Sequence, residues 1–329
     1  MLQLDANEVA ARLARVPLID ALERTFRSEF HSPVRQHYSV GGSAQGDDVL
    51  LTMPAWQTGR CIGIKLATVF PGNSQQGQPA VHAVYALFSG VDGSLIATLE
   101  GTELTRRRTA AASALAARFL ARPEASRLLM VGTGALAPHI IETYTTARPI
   151  TAVRVWGRTL RHAQAVAGSF AGRSIDIVAI DDLEAGVRWA DIISCATLAT
   201  APLVRGAWLR PGQHLDLVGS FTPEMREVDD EALVRSRIYV DTREGALTES
   251  GELVQAMSGG LLTAADIHGD LAALTRGTVS GRDSAEQITL FKSVGCAIED
   301  LAAAELALGF RSGPLHDPSM RARKPASRV

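Results

Sequence analysis

The chain has 329 residues, of which 46% are hydrophobic, 21% charged and 5% aromatic, with a formal net charge of -2. That size and apolar content supply core enough for two domains, while the neutral balance and scarce aromatics exclude a basic, base-stacking face for nucleic acid. No apolar run approaches the roughly 18 residues that suggest a membrane span, the start Met-Leu-Gln-Leu-Asp-Ala lacks the regions of a signal peptide, and Cys61, Cys195 and Cys296 share no metal-ligand spacing, so a cytoplasmic protein with reduced thiols and no bound metal is expected.

Asp5 with Glu8 three residues on has the capping-box pattern and predicts a helix through about Arg15. Pro17 can start another, with Leu18, Leu22 and Phe26 on one face. From Val34 to Thr98 the pattern changes to short β-type runs over residues 38–40, 49–53, 61–70, 83–88 and 95–99, with Asp92-Gly93 as a hairpin signal. These runs predict an antiparallel or mixed sheet. An alanine-rich helix follows from Thr102 to about Ala121, stopped before Pro123. Strand and helix patterns then alternate, with strand candidates at 128–131, 153–156, 175–180, 191–196, 214–218 and 237–241. Alternation of that kind predicts an α/β fold with a Rossmann-type, doubly wound parallel sheet. Residues 288–291 offer one further strand and 294–308 a long helix, and the tail from Ser312 is expected to be a solvated end.

The strand at 128–131 runs into Gly132-Thr133-Gly134-Ala135-Leu136-Ala137, a G-x-G-x-x-A spacing. In a dinucleotide site Gly132 permits the sharp turn, Gly134 lets backbone approach a pyrophosphate, and Ala137 lets helix and strand pack closely. The helix N-terminus adds free N–H groups and the positive end of its dipole. An NAD site wants an acid at the end of the second strand to bind the ribose hydroxyls. This chain instead has Trp156-Gly157-Arg158-Thr159, with no acid until Asp176. Arg158 and Thr159 suit a 2′-phosphate, so NADPH is the expected cofactor, with NADH possible.

Three further features bear on chemistry. Lys65 sits in the apolar run Cys61-Ile-Gly-Ile-Lys-Leu-Ala-Thr-Val-Phe, where an unpaired ammonium is costly to bury unless one face of the strand is exposed. Arg106, Arg107 and Arg108 open the alanine-rich helix, against the sense of its dipole. A bound anion would resolve that conflict, and an arginine fork suits a carboxylate. Arg35 lies in a loop between Pro33 and Tyr38.

With these residues in place, the chain resembles the ornithine cyclodeaminase/mu-crystallin family over nearly its whole length. The resemblance is carried by Met53-Pro54-Ala55, Lys65 with Pro71-Gly72-Asn73, Leu104 to Ala111, Val131 to Gly134, Ala190 to Ile193 with Ala196-Thr197, Val218 to Pro223, and Thr289 to Gly295 before Ile298-Glu299-Asp300. It implies a homodimer in which residues 1–115 and 297–329 form a discontinuous α+β substrate-binding and dimerisation domain, around a Rossmann domain of residues 116–296. It also implies that Lys65, Arg108 and Arg35 hold the substrate carboxylate and α-nitrogen, and that Gly132, Thr133, Gly134, Ala135, Ala137, Arg158, Thr159 and Thr197 bind the cofactor. The cyclodeaminases carry two acids that this chain lacks: their glutamate position is Leu51 and their aspartate position is Phe221. Phe221 would pack against a ring where a cyclodeaminase needs a carboxylate. The expected activity is therefore reduction of pyrroline-2-carboxylate or piperideine-2-carboxylate to L-proline or L-pipecolate. Ornithine cyclodeamination, an alanine dehydrogenase-like reaction and NADPH-dependent ligand binding without catalysis are the alternatives.

Overall fold

The computed structural model describes residues 1–43 and 46–310. The chain begins with β1 (Leu2–Leu4), α1 (Ala6–Arg12), α2 (Arg15–Arg27), β2 (Gln36–Ser43), β3 (Gly46–Gln57), β4 (Cys61–Val69), β5 (Val81–Ser89), β6 (Leu95–Glu100) and α3 (Gly101–Leu120). It continues through β7 (Arg127–Val131), α4 (Leu136–Ala147), β8 (Ala152–Trp156), α5 (Leu160–Gly168), β9 (Asp176–Ile180), α6 (Leu183–Trp189), β10 (Ile192–Cys195) and β11 (His214–Leu217). The last elements are α7 (Asp230–Val234), β12 (Ser236–Val240), α8 (Arg243–Glu249), α9 (Gly251–Ser258), β13 (Ile267–Asp270), α10 (Leu271–Arg276), β14 (Ile288–Lys292) and α11 (Ala297–Ala307).

Two sheets organise these elements. The first is six-stranded in the order β1-β6-β5-β4-β3-β2. Its strands pair antiparallel except for β1, which lies parallel to β6, so the sheet is mixed. The Asp92-Gly93 turn joins β5 to β6 with Gly93 at φ 72°, as the hairpin signal requires. Along β4 burial alternates, with Cys61, Gly63, Lys65 and Ala67 facing inward and Ile62 and Leu66 facing outward. The second sheet is parallel throughout and eight-stranded, in the order β13-β12-β14-β11-β10-β7-β8-β9. The chain runs outward from β7 through β8 to β9, then returns to lay β10 on the other side of β7. Ligands of such sheets bind in the crevice above that reversal, at the carboxyl ends of the strands.

Several expectations need correction. The parallel sheet holds eight strands where six were expected with one further candidate; β13, only Ile-His-Gly-Asp, is too short and polar to announce itself. The capping box forms, with Glu8 N–H 2.9 Å from Asp5 and Asp5 N–H 3.0 Å from Glu8, but α1 stops at Arg12 and the next helix starts at Arg15. Pro17 therefore lies within the first turn of α2 instead of opening it, where its missing N–H has no intrahelical partner to lose. The final helix starts at Ala297, because residues 294–296 form the turn that brings the chain off β14. The tail expected from Ser312 lies outside the described residues.

That turn matters because α11 leaves the parallel sheet and packs on β3, β4 and β5 of the first sheet, beside α2 and α3. Leu301, Ala302, Ala303 and Ala304 join Met53, Ala55, Tyr85 and Leu87 in one core cluster. The small alanines let helix and sheet approach closely. Among the described residues no helix is long and apolar enough to cross a membrane.

Candidate active site

The crevice between β7 and β10 is shaped by backbone contact. Gly132 takes φ +121°, and a Cβ there would collide with the carbonyl oxygen of Ala196. Its N–H donates to Trp156 O at 2.9 Å, which ties the turn to the end of β8. Thr133 packs its methyl against Gly157, where a Cβ would come within 2.6 Å. Gly134 faces open space instead of another part of the chain. Ala135 is the N-cap of α4 and supplies no side-chain cap; Ala137 N–H turns back to Gly134 O at 3.0 Å and Pro138 has no N–H, which leaves the Leu136 N–H at the helix start for another acceptor. Ala137, the third small residue of the motif, is buried within the core shared with β7. An uncapped helix beside a side-chain-free turn fits the pyrophosphate of a dinucleotide. Arg158 and Thr159 stand exposed just past β8, and Arg158 forms no ion pair among the described residues. Thr197 follows β10 at the lip of the crevice.

Lys65 is not on an exposed face: it is 3% exposed. Its Nζ lies 2.8 Å from Asp300 Oδ2, and it donates to Thr105 Oγ1 at 3.4 Å. Arg108, 4% exposed, donates through Nε to Asp300 Oδ1 at 2.9 Å and through Nη1 to Glu299 Oε2 at 2.6 Å. Two cations from β4 and α3 thus meet two carboxylates from α11. Burial pushes the Lys65 ammonium down to about 8, although Asp300 pulls the other way. Burial likewise pushes Glu299 up to about 7 against the pull of Arg108. Asp300 is also penalised by burial, but Lys65 and Arg108 outweigh that penalty and hold it below the usual carboxylate range. With Glu299 protonated, the four groups carry one positive charge in excess.

Arg35 stands one layer away. It donates from Nη2 to Val294 O at 2.5 Å and Gly295 O at 2.6 Å, and pairs with Glu249 at 2.9 Å. Gly295 has φ +80°, and a Cβ on it would meet Arg108 Nη1 at 2.6 Å. The 294–296 turn therefore separates the two arginines and touches both. A cleft of about 540 Å³ opens on the Arg35 side, lined in part by Met53, Trp56, Asp241, Thr242, Gly295 and Cys296. Lys65 and Arg108 are buried behind its wall. Phe221 is half-buried in the loop after β11, outside that lining, and Leu51 is half-buried on the Met53 face of β3.

The anion expected for the three arginines is supplied largely by the chain itself. Glu100 caps α3 by accepting from Thr102 N–H and Glu103 N–H. Arg107 pairs with Glu103 at 2.6 Å, and Arg108 with Glu299 and Asp300. Arg106 pairs with none of the described carboxylates. Sequence reasoning does not single out the partners Glu299 and Asp300 as site residues, although the signal is two adjacent acids in a helix whose other residues, save Glu305, are apolar.

The sequence profile of the ornithine cyclodeaminase/mu-crystallin family matches residues 1–308. This chain belongs to that family. It is 41% identical over 256 residues to the Delta(1)-pyrroline-2-carboxylate reductase of Paracoccus denitrificans, covering 78% of this chain and 81% of that one. With the ketimine reductase mu-crystallin of Rattus norvegicus it shares 38% identity over 257 residues, 77% of this chain and 78% of the other. Its fold superposes on the Thermococcus litoralis Delta(1)-pyrroline-2-carboxylate reductase, solved with NADH and L-proline, with a TM-score of 0.88 at 31% identity, over 93% of this chain and 96% of that one.

Proposed function

We propose that this family member reduces a small cyclic imino acid, pyrroline-2-carboxylate or piperideine-2-carboxylate, to L-proline or L-pipecolate, with NADPH as its preferred donor. It is a nicotinamide-dependent oxidoreductase acting on C=N bonds. The observation that carries the substrate is the Lys65–Arg108 pair, buried beneath the turn that Arg35 grips; the family resemblance adds Leu51 and Phe221, apolar where cyclodeaminases carry acids. Lys65, Arg108 and Arg35 are assigned to the substrate carboxylate, whose single negative charge the buried set can match when Glu299 takes up a proton, towards which burial drives it. Fixing the carboxylate orients the ring and its C=N carbon towards the crevice. A bound nicotinamide supplies the hydride to that carbon. The nitrogen is protonated as the iminium, the better electrophile, and Lys65, with its pKa drawn down to about 8, holds a proton close by that an ordinary lysine would release less readily. Phe221 is assigned to pack against the ring and keep water out.

Residues 1–115 and 297–329 are taken as the substrate-binding and dimerisation unit and 116–296 as the cofactor unit, with the protein acting as a cytoplasmic homodimer. The outward face of the first sheet supports the dimer, since Ile62, Leu66 and Val84 are 41%, 39% and 44% exposed there. The three cysteines are free and buried, in keeping with a reducing compartment. The test is a panel of cyclic and open-chain imino and keto acids followed by NADPH and NADH absorbance, with L-ornithine plus NAD assayed for ammonia. Dinucleotide oxidation with a cyclic imino acid, and no ammonia, is expected. Proline formed from ornithine with stoichiometric ammonia would refute the reading.

A further inference from the structure

Behind the crevice lies a second buried set that takes no part in holding a substrate carboxylate. Glu227, ahead of α7, is fully buried. Its Oε1 accepts from the backbone N–H and the hydroxyl of Thr197, each at 2.8 Å, and its Oε2 accepts from Gly219 N–H at 2.9 Å. Thr197 follows β10 and Gly219 follows β11, so one carboxylate ties together the loops at the carboxyl ends of two adjacent strands. Those loops are in contact, because a Cβ on Gly219 would collide with the backbone N and O of Thr197 and with Glu227 itself. Ala196, next in line, touches Gly132. Three backbone turns thus form a continuous wall on one side of the crevice, and Glu227 is the brace behind it.

The brace is itself held. Glu227 N–H donates to Glu252 Oε1 at 2.7 Å, and Glu252 Oε2 lies 3.4 Å from Lys292 Nζ. All three side chains are wholly buried. One ammonium serves three buried carboxylates, Glu252, Glu227 and Asp216, and the neighbouring Cys195 brings no positive charge. Burial pushes Glu227 up to about 7, helped by Glu252 and opposed by Lys292 and by the hydrogen bonds from Thr197.

We propose that Glu227 is a positioning residue for the cofactor: by accepting from Thr197 and Gly219 it holds the two turns against which the nicotinamide half of the dinucleotide packs, so that affinity for that half follows the ionisation of Glu227. The ionised carboxylate accepts three hydrogen bonds, and its protonated form must turn one oxygen into a donor that faces other donors. This inference rests on the dinucleotide reading of the crevice but not on the identity of the substrate.

The test measures NADH and ADP-ribose binding, by fluorescence and calorimetry without substrate, from pH 6 to pH 8.5. NADH is chosen because it lacks the titrating 2′-phosphate. Wild-type affinity for NADH is expected to weaken several-fold as pH falls through about 7, in the direction set by the raised carboxyl. Glu227→Gln should bind NADH about ten-fold more weakly at pH 8, with that pH dependence gone, while ADP-ribose, which lacks the nicotinamide, binds as before. If the glutamine variant fails to fold, Thr197→Val serves: it removes the hydroxyl bond alone and should weaken NADH about three-fold with the pH dependence kept. Unchanged NADH affinity in whichever variant is measured, a wild-type pH slope in Glu227→Gln, or equal losses for NADH and ADP-ribose would overturn the proposal. Absence of reductase activity with cyclic imino acids would leave these binding results readable, whereas a wild-type protein that binds no dinucleotide would sink both.

Discussion

Arg158 is exposed one residue beyond the Gly157 on which Thr133 packs. No carboxylate among the described residues neutralises it, so its guanidinium is free to grip a phosphate placed over the end of β8. Losing a hydrogen bond to a charged group costs about 1.5–3 kcal/mol, and about 1.4 kcal/mol is ten-fold in affinity. Arg158→Ala is therefore expected to raise the Michaelis constant for NADPH at least ten-fold and to leave NADH nearly unchanged. Steady-state kinetics with both donors checks this, and equal effects would remove the assignment. Residues of this kind can be read from sequence because their meaning is local: Gly132 is glycine because its own φ and the nearby Ala196 carbonyl forbid a side chain. Lys65 was half legible. Its apolar neighbours marked it as costly to bury, but nothing near it in the chain named Asp300 as its partner.

That partner belongs to α11, which reaches β4 and α3 from the far end of the sequence; Arg108 and Asp300 are 192 positions apart. The helix pattern of α11 was visible, and its place on the first sheet came from family resemblance, because no periodicity says which sheet a helix covers. β13 escaped altogether, since four residues carry no usable period. The pairing of α11 with β4 makes a prediction about stability as well as turnover. Lys65→Met leaves Asp300 and Glu299 facing Arg108 alone, and breaking a buried ion pair on one side costs about 3–5 kcal/mol. The variant is expected to lose most activity and melt at lower temperature while still binding NADPH. Adding Asp300→Asn should restore part of the melting temperature and none of the turnover. Near-normal turnover in Lys65→Met would remove the lysine from the substrate site.

For the molecule as a whole, the apolar outer face of the first sheet is the feature that most needs a partner. Leu66 lies opposite Val84 across β4 and β5, and Ile62 opposite Phe88, so the exposed side chains form a patch and not scattered residues. Burying each large aliphatic chain is worth about 1.5–3 kcal/mol, and placing a charge there removes that gain and adds a desolvation cost. Leu66→Arg with Val84→Lys is expected to convert the proposed dimer to a monomer in sedimentation velocity; a monomeric wild-type protein, or a variant that still dimerises, would reject this face as the interface. The placement of α11 reaches further, into how the protein is made. A ribosome releases β1 to β6 and α3 long before residues 297–307 exist, so the nascent first sheet waits with the core of Met53, Ala55, Tyr85 and Leu87 only partly covered and Lys65 without Asp300. The parallel sheet is complete once β14 emerges, whereas the first gains its covering helix only from Ala297 onward. A nascent chain stalled ahead of Ala297 would thus hold a first sheet still lacking α11, and would present that apolar surface to chaperones in place of a finished domain.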